Sequence, residues 1–157
     1  MNKPKLLVSS CLLGIDVKYD GGNNKIEGLE KLGDIFNIFP VCPEVDGGMV
    51  VPRLPSEIIN TSPLSIQNEF GIDVTDYFKY GAISALNICK KCNIKIALLK
   101  SNSPSCGNIK IYDGTFSGTL VDGIGITANT LQHNKIKVFN ENQIEELYNY
   151  IKTNKEI

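Results

Sequence analysis

Four short apolar runs recur along the chain, each followed by polar or turn-forming residues. They occupy residues 5–10, 35–42, 94–99 and 135–139. Apolar runs of four to eight residues bounded by turn formers are typical of strands that are buried on both faces. The pattern therefore predicts four strands distributed over the whole length of the chain.

Three other segments have the apolar spacing of a helix. In residues 68–91 the apolar side chains return every three or four positions, which predicts a long amphipathic helix. Shorter helices are predicted for residues 127–133 and 141–152, and Asn140 is expected to cap the last of them.

Strands that alternate with helices predict the fold class. We expect an α/β fold with a mainly parallel sheet flanked by helices in a Rossmann-like, three-layer arrangement. Residues 52–63 contain three prolines and are predicted to form a long loop rather than a linker. The prediction is therefore a single domain spanning residues 1–157.

Composition and charge narrow the range of partners. Of the 157 residues, 42% are hydrophobic and 21% charged, and the formal net charge is −1. This balance gives no general attraction to nucleic acid or to an anionic membrane. No apolar run approaches the roughly 20 residues of a membrane-spanning helix, and the first apolar run is too short for a signal peptide. We expect a cytoplasmic protein with no membrane partner and no strong binding to nucleic acid.

Cysteines stand at the ends of the first three predicted strands. The chain has five cysteines, an odd number that argues against a disulfide framework in a cytoplasmic protein. If those strands are neighbours, the three thiols Cys11, Cys42 and Cys106 meet at the carboxyl edge of the sheet, where ligands bind in such folds. Three converging thiolates suit a metal centre with one open position. The alternative is that they are small packing residues.

The other two cysteines, Cys89 and Cys92, form a C-x-x-C pair near the end of the long predicted helix. A redox pair of this kind would be expected at a helix N-terminus, and a zinc site would need further ligands. The one histidine, His133, lies elsewhere in the sequence. We therefore expect this pair to lie on an exposed helix surface, with a redox dithiol as the alternative.

Polar residues near the three cysteines are candidates for acid–base chemistry. Glu44 is two residues from Cys42, and Ser103 is three residues before Cys106. Ser103 is expected either to cap the turn or to offer a hydroxyl to a substrate. Arg53, between two prolines, is expected to order its loop by pairing with a carboxylate. With a single histidine in the chain, a Ser-His-Asp arrangement is not supported.

Four motifs together resemble the thiouracil desulfidase family. They are "SSCLLGIDVKYDGGNN", "CPEVDGGMVVPRLPSEI", "LLKSNSPSCG" and "GIGITANTLQHNKIKVFNE". The resemblance implies a 4Fe–4S cluster held by Cys11, Cys42 and Cys106, with the fourth iron open for the sulfur of a thiocarbonyl substrate. It also implies a catalytic carboxylate at Glu44 and a catalytic serine at Ser103. Cys89 and Cys92 match no motif of the family.

The function implied is non-redox, hydrolytic desulfuration of a thiolated pyrimidine, a 4-thiouracil-like base or nucleoside, to its oxo form with release of sulfide. Sulfur is a soft donor and suits iron as a ligand, and iron would act as a Lewis acid. Three alternatives stay open: a desulfidase acting on thiolated tRNA, a non-catalytic cluster- or metal-binding protein, and a redox enzyme using the C-x-x-C pair. The sequence leaves the oligomeric state open.

Overall fold

The computed structural model describes residues 2–157 and contains eight strands and five helices in that range. The strands are β1 (Lys5–Ser9), β2 (Asn37–Val41), β3 (Ser56–Thr61), β4 (Leu64–Asn68), β5 (Ile96–Leu99), β6 (Lys110–Tyr112), β7 (Leu120–Asp122) and β8 (Lys137–Asn140). The helices are α1 (Leu32–Ile35), α2 (Pro43–Asp46), α3 (Thr75–Cys92), α4 (Ile126–His133) and α5 (Ile144–Thr153), with 3-10 turns at Ser10–Leu13 and Leu29–Lys31.

Four parallel strands in the order β2-β1-β5-β8 make the central sheet. Leu7 on β1 lies opposite Phe39 on β2 and Ala97 on β5, so the register brings the ends of these three strands to the same edge. The strands are short and almost wholly apolar, as expected when helices cover both faces of a sheet. Each of the four matches one of the predicted strands, with the boundaries shifted by one to two residues.

Helices pack on both faces of this sheet. One apolar cluster joins Leu7 and Leu99 to side chains of α3 and α4, such as Ala85 and Leu131. A second cluster on the opposite face joins sheet residues to side chains of α1 and α5, such as Leu147. The predicted α/β class, with a parallel sheet flanked by helices in three layers, is confirmed. Within residues 2–157, no helix combines the length and apolar character needed to cross a membrane.

Two antiparallel hairpins extend this framework, and neither was predicted. β3 pairs with β4, and β6 pairs with β7. The prediction of a long loop over residues 52–63 is wrong, because Ile58 on β3 packs with Ile66 and Phe78 in a third apolar cluster. The three prolines lie outside the strand, which leaves its backbone N–H groups free to pair.

The start of the last helix also differs from the prediction. α5 begins at Ile144, three residues later than expected, and no side chain caps its first turn. The Asn140 side chain instead accepts the Asn142 N–H at 2.8 Å, and the Gln143 side chain accepts the Asn140 N–H at 3.0 Å. These two bonds form a local turn between β8 and α5, so Asn140 caps a turn rather than the helix.

Candidate active site

A cavity of about 470 Å³ opens at the carboxyl edge of the central sheet. Its volume lies within the ~300–1,000 Å³ typical of small-molecule sites. The five residues predicted for the site all line it: Cys11, Cys42, Glu44, Ser103 and Cys106. They meet because β1 lies between β2 and β5, so the segments that follow these three strands are neighbours in space.

Cys11 lies in the 3-10 turn that follows β1 and is half-buried. The Gly14 and Asn24 N–H groups donate to its carbonyl at 3.2 and 2.9 Å, which fixes the turn and the glycine-rich segment after it. Burial raises the pKa of the Cys11 thiol, while a hydrogen bond with the Asn24 side chain and the nearby Lys100 ammonium partly offset that effect. The Cys11 thiol therefore lies near both Lys100, which lowers its pKa, and Glu141, which raises it.

Cys42 follows β2 and immediately precedes α2. The Asp46 carboxylate accepts its N–H at 3.2 Å, and its thiol donates to the Val17 carbonyl at 3.9 Å. Burial raises the pKa of the Cys42 thiol, and a hydrogen bond from the Val45 N–H lowers it in part. Neighbouring backbone thus fixes Cys42 at the cavity wall.

Cys106 lies in the turn after β5 and is only 4% exposed. Its sulfur accepts a weak hydrogen bond from the hydroxyl of Ser9 at 3.5 Å and lies 3.6 Å from the hydroxyl oxygen of Ser105. The pKa of Cys106 is raised to about 12, because burial outweighs the effect of these two hydroxyls and the nearby Cys11 and Glu44 act in the same direction as burial. By itself Cys106 is a protonated thiol rather than a free nucleophile, because only a thiolate is reactive.

Glu44 has both carboxylate oxygens engaged. Arg53 donates to one through Nε at 3.1 Å, and Ser105 donates to the other through its hydroxyl at 3.1 Å. The Arg53 side chain is 6% exposed and that of Glu44 is 17% exposed, so the ion pair is shielded from water yet opens to the cavity. The predicted pairing of Arg53 with a carboxylate is confirmed. Arg53 also donates to the carbonyls of Val17 and Val50.

Two glycines set the position of the short helix α2 that carries Glu44. A Cβ on Gly81 of α3 would lie 1.9 Å from the Pro43 carbonyl oxygen, and a Cβ on Gly47 would lie 2.0 Å from the Tyr77 carbonyl oxygen. Only glycine permits this backbone approach. The long helix α3 therefore acts as a fixed support for the segment carrying Cys42 and Glu44.

Ser103 contacts the site through hydrogen bonds with Ser105 and Cys106. Its hydroxyl oxygen accepts the Cys106 N–H at 2.7 Å and lies 3.1 Å from the hydroxyl of Ser105. Because Ser105 donates its one proton to Glu44, Ser103 is the donor in the serine pair. The sequence analysis did not identify Ser105, although it lies within the same "SPSCG" motif.

The sequence analysis also did not identify the ion pair between Lys100 and Glu141, on the Cys11 side of the cavity. Lys100 donates to Glu141 at 2.9 Å and to the Ser101 hydroxyl at 3.1 Å, and the N–H and hydroxyl of Ser101 both donate to Glu141. Burial acts to raise the pKa of Glu141, but the Ser101 and Lys100 hydrogen bonds outweigh it and leave that pKa below its usual value. Glu141 is 40 residues from Ser101, so no local sequence signal links them.

The C-x-x-C pair lies in a different environment from the one predicted. Cys89 is 1% exposed and belongs to the apolar cluster beneath α3, so the expectation of an exposed surface is wrong for it. Lys90 is exposed and Cys92 is half-buried. Burial, with a smaller contribution from Cys92, raises the pKa of Cys89 to about 11. Redox-active cysteines have lowered thiol pKa values, so Cys89 has the character of a packing residue.

The donor set of the cavity fits an iron–sulfur cluster. Cysteine thiolates are the usual ligands of such clusters, and three thiols line one cavity. A buried thiol with a raised pKa binds as a thiolate when a nearby cation supplies the compensating charge. Residues 2–157 contain no group of three or more His, Cys, Asp or Glu side chains close enough to hold a single metal ion. The cysteines that hold a multi-iron cluster lie further apart than the ligands of a single metal ion. The absence of a single-ion site is therefore compatible with a cluster held by the three thiols.

The fold and the site define an α/β protein with a thiol-lined cavity at the carboxyl edge of its parallel sheet. The family model described as 2-thiouracil desulfurase matches residues 6–143, and the chain belongs to that family. The family predicted from the sequence motifs is thereby confirmed.

Two relatives match almost the whole chain. The uncharacterized protein YbbK of Bacillus subtilis (strain 168) is 39% identical over 149 residues, covering 90% of this chain and 99% of that protein. A solved structure of the 4Fe–4S-dependent thiouracil desulfidase TudS is 41% identical, with a TM-score of 0.90 over 96% of this chain and 99% of the other.

Proposed function

We propose that this protein is a desulfidase that hydrolyses the C=S bond of a small thiolated pyrimidine, a 4-thiouracil-like base or nucleoside, and releases sulfide. The observation that carries the proposal is the meeting of three thiols, the Glu44 carboxylate and the Ser103–Ser105 hydroxyls around one cavity. Membership of the 2-thiouracil desulfurase family and the likeness to TudS support the same activity.

Cys11, Cys42 and Cys106 are the residues that would hold a 4Fe–4S cluster. With three protein ligands for four irons, one iron keeps an open position. When bound, the cluster would supply Lewis-acid chemistry that polarises the C=S bond of a thiocarbonyl substrate. The Ser9 hydroxyl donates toward the Cys106 sulfur at 3.5 Å and would stabilise its thiolate form.

Glu44 acts as the general base that takes a proton from the attacking water. Each of its oxygens accepts one hydrogen bond, from Arg53 or from Ser105. A carboxylate oxygen has two lone pairs, so each oxygen keeps one for the water. The two fixed donors hold the carboxylate in one orientation, which is what a positioned base requires.

Ser103 supports this base through a short chain of hydrogen bonds. The proton order runs from Ser103 to Ser105 to Glu44, so each donor points toward the carboxylate. Ser103 also fixes the Cys106 N–H at 2.7 Å. It therefore links a cluster ligand to the base and helps to hold that base in one orientation.

The overall reaction needs no electron donor. The carbon atom exchanges its two bonds to sulfur for two bonds to oxygen, water provides the oxygen and two protons, and sulfide leaves as hydrogen sulfide or hydrosulfide. The buried Cys89, with its raised pKa, gives no support to a redox dithiol. The cavity volume suits a base or nucleoside, and the net charge of −1 provides little for the phosphates of tRNA.

The test is an anaerobic assay of iron-replete protein with 4-thiouracil in water enriched in oxygen-18, with no reductant present. We expect equal amounts of sulfide and uracil, with one labelled oxygen in each uracil. Glu44→Gln protein with the same iron content should be much slower. Desulfuration that requires an added reductant, or uracil without the label, would refute the hydrolytic mechanism.

A further inference from the structure

The loop between β6 and β7, residues 113–119, forms a wall of the cavity that the proposed chemistry does not use. Phe116 and Gly118 of this loop line the cavity, together with Tyr112 at the end of β6. Phe116 is half-buried, and none of the three apolar clusters within residues 2–157 includes it. Phe116 therefore lies at the cavity and outside the apolar core.

The backbone of Phe116 has an unfavourable conformation. Its φ is 56°, in the left-handed region that residues with a side chain rarely adopt and in which a bulky residue is an outlier. Asparagine or glycine would satisfy such a position at lower cost. Strain of this kind persists where the surrounding structure imposes it and is found most often at ligand sites.

A buried carboxylate imposes this conformation. Glu57 on β3 is 7% exposed, and one of its oxygens accepts the Gly114 N–H at 2.9 Å and the Phe116 N–H at 3.2 Å. Gly114 allows the loop to approach β3, since a Cβ there would lie 2.8 Å from the Ile58 carbonyl oxygen. The loop is thus clamped to β3 on both sides of Thr115.

The polar side chains of the loop hold it from within. Asp113 accepts the Thr115 N–H and hydroxyl at 2.9 and 2.6 Å, and hydroxyl contacts run on from Thr115 to Ser117 at 2.6 Å and from Ser117 to Thr119 at 2.8 Å. The Asp113 N–H donates to the Thr119 carbonyl at 3.0 Å. The loop is fixed by its polar groups, so the Phe116 ring is not needed to hold it.

From this placement we propose that Phe116 is a substrate-binding residue that stacks on the pyrimidine ring of the substrate. Glu57 is the positioning residue that acts through it. An aromatic face binds the face of a base irrespective of its ring substituents. Stacking would orient the thiocarbonyl toward the three cysteines and the attacked carbon toward Glu44. The inference rests on the proposed function and names how that site recognises a ring.

The first experiment distinguishes stacking by an aromatic ring from the mere presence of a large apolar side chain. Iron-replete Phe116→Ala and Phe116→Leu proteins are compared with Phe116→Tyr, which keeps the ring, and with Phe70→Ala, which removes a ring 74% exposed at the surface. We expect KM for 4-thiouracil to rise roughly 5- to 150-fold in the Ala and Leu variants, the usual loss when a stacking aromatic is removed. The Tyr and Phe70→Ala proteins should stay within about twofold of wild type, with kcat changed less than KM in every case.

Equilibrium dialysis of uracil against the same proteins gives a second readout. Uracil has the ring but no sulfur, so its binding reports the ring contact and needs no turnover. If wild-type protein releases no sulfide from 4-thiouracil, the proposed function fails and the dialysis alone decides this inference. Weaker uracil binding in the Ala and Leu variants supports it. Equal binding in all variants, or no binding to wild-type protein, overturns it.

The role of Glu57 is tested by combining its substitution with that of Phe116 in a double variant. Glu57→Leu removes both hydrogen bonds to the loop, whereas Glu57→Gln keeps an oxygen acceptor and should restore a near-normal KM. If Glu57 acts through Phe116, adding Glu57→Leu to Phe116→Ala should raise KM no further. Additive effects would contradict the positioning role. Tyr19 also lines the cavity, so a raised KM in Tyr19→Ala protein together with a normal KM in Phe116→Ala protein would assign the ring contact to Tyr19 and overturn the assignment.

Discussion

Replacing Glu44 with glutamine tests the chemistry of the site most sharply, because it removes the base and nearly preserves the shape. The glutamine oxygen can accept the Arg53 Nε–H in place of a bond now 3.1 Å long. Its NH₂ can donate to the Ser105 hydroxyl, which is 3.1 Å from the other oxygen. The hydrogen-bonded frame therefore survives while the negative charge and the proton acceptor are lost.

The expected loss of rate follows from the role of a positioned general base. Such a base contributes roughly 10²–10⁴-fold, which corresponds to about 2.7–5.4 kcal/mol in the activation free energy. The free energy of unfolding should change less than the activation free energy. Arg53 keeps the Val17 and Val50 carbonyls as acceptors at 2.9 and 3.2 Å. Loss of the charge that assists the Arg53 bond should then cost at most about 1.5–3 kcal/mol of unfolding free energy, the range for a hydrogen bond to a charged group.

The assay is sulfide release from 4-thiouracil under anaerobic conditions, with iron content measured on the same samples. We expect Glu44→Gln protein to keep its iron and bind substrate, and to lose turnover. Glu69→Gln is the matched control, since Glu69 is an exposed carboxylate at the cavity rim with no side-chain hydrogen bond or ion pair within residues 2–157. Near-normal release by iron-replete Glu44→Gln protein would refute the role of Glu44 as the base.

Three further predictions concern the cysteines, the carboxylate of Glu141 and the binding of nucleic acid. Iron should fall to background when serine replaces any one of the three cavity cysteines, Cys11, Cys42 or Cys106. Cys89→Ser should instead keep iron and lower the midpoint of urea unfolding, because it places a hydroxyl in the core; loss of iron in that variant would assign Cys89 to the site. The lowered pKa of Glu141 means that its carboxylate stabilises the fold above its unfolded-state pKa, a contribution lost as pH falls through the folded-state pKa. The stability advantage of wild-type protein over Glu141→Gln at neutral pH should therefore shrink below about pH 4, and an advantage independent of pH would contradict the assignment. In a filter-binding assay, tRNA should bind weakly and without a steep salt dependence; sub-micromolar binding at physiological salt would favour a tRNA substrate.

The central sheet and the three cysteines could be predicted from the sequence because both follow from one pattern. Each buried strand is a continuous apolar run, and each cysteine follows such a run within a few residues. In a parallel sheet the ends of neighbouring strands meet at one edge. The local pattern was therefore enough to anticipate a shared site, and Glu44 and Ser103 came with it through their proximity to Cys42 and Cys106.

The features that were missed depend on contacts between distant segments. The β3–β4 hairpin has prolines on its flanks, and only the packing of Ile58 against Ile66 and Phe78 shows that a strand lies there. Burial of Cys89 depends on which face of α3 meets the sheet. Glu141 reaches its partners across 40 residues. Periodicity and spacing contain no information on these pairings.

The most direct test of the central claim is to follow sulfide release and iron content together as iron is removed and restored. Protein purified without oxygen should be brown, with a broad visible absorption band, and should release sulfide from 4-thiouracil. Chelation of iron should abolish the colour and the activity together, and anaerobic reconstitution with iron and sulfide should restore both. Full activity in colourless, iron-free protein, or no activity in protein with its cluster restored, would contradict the account.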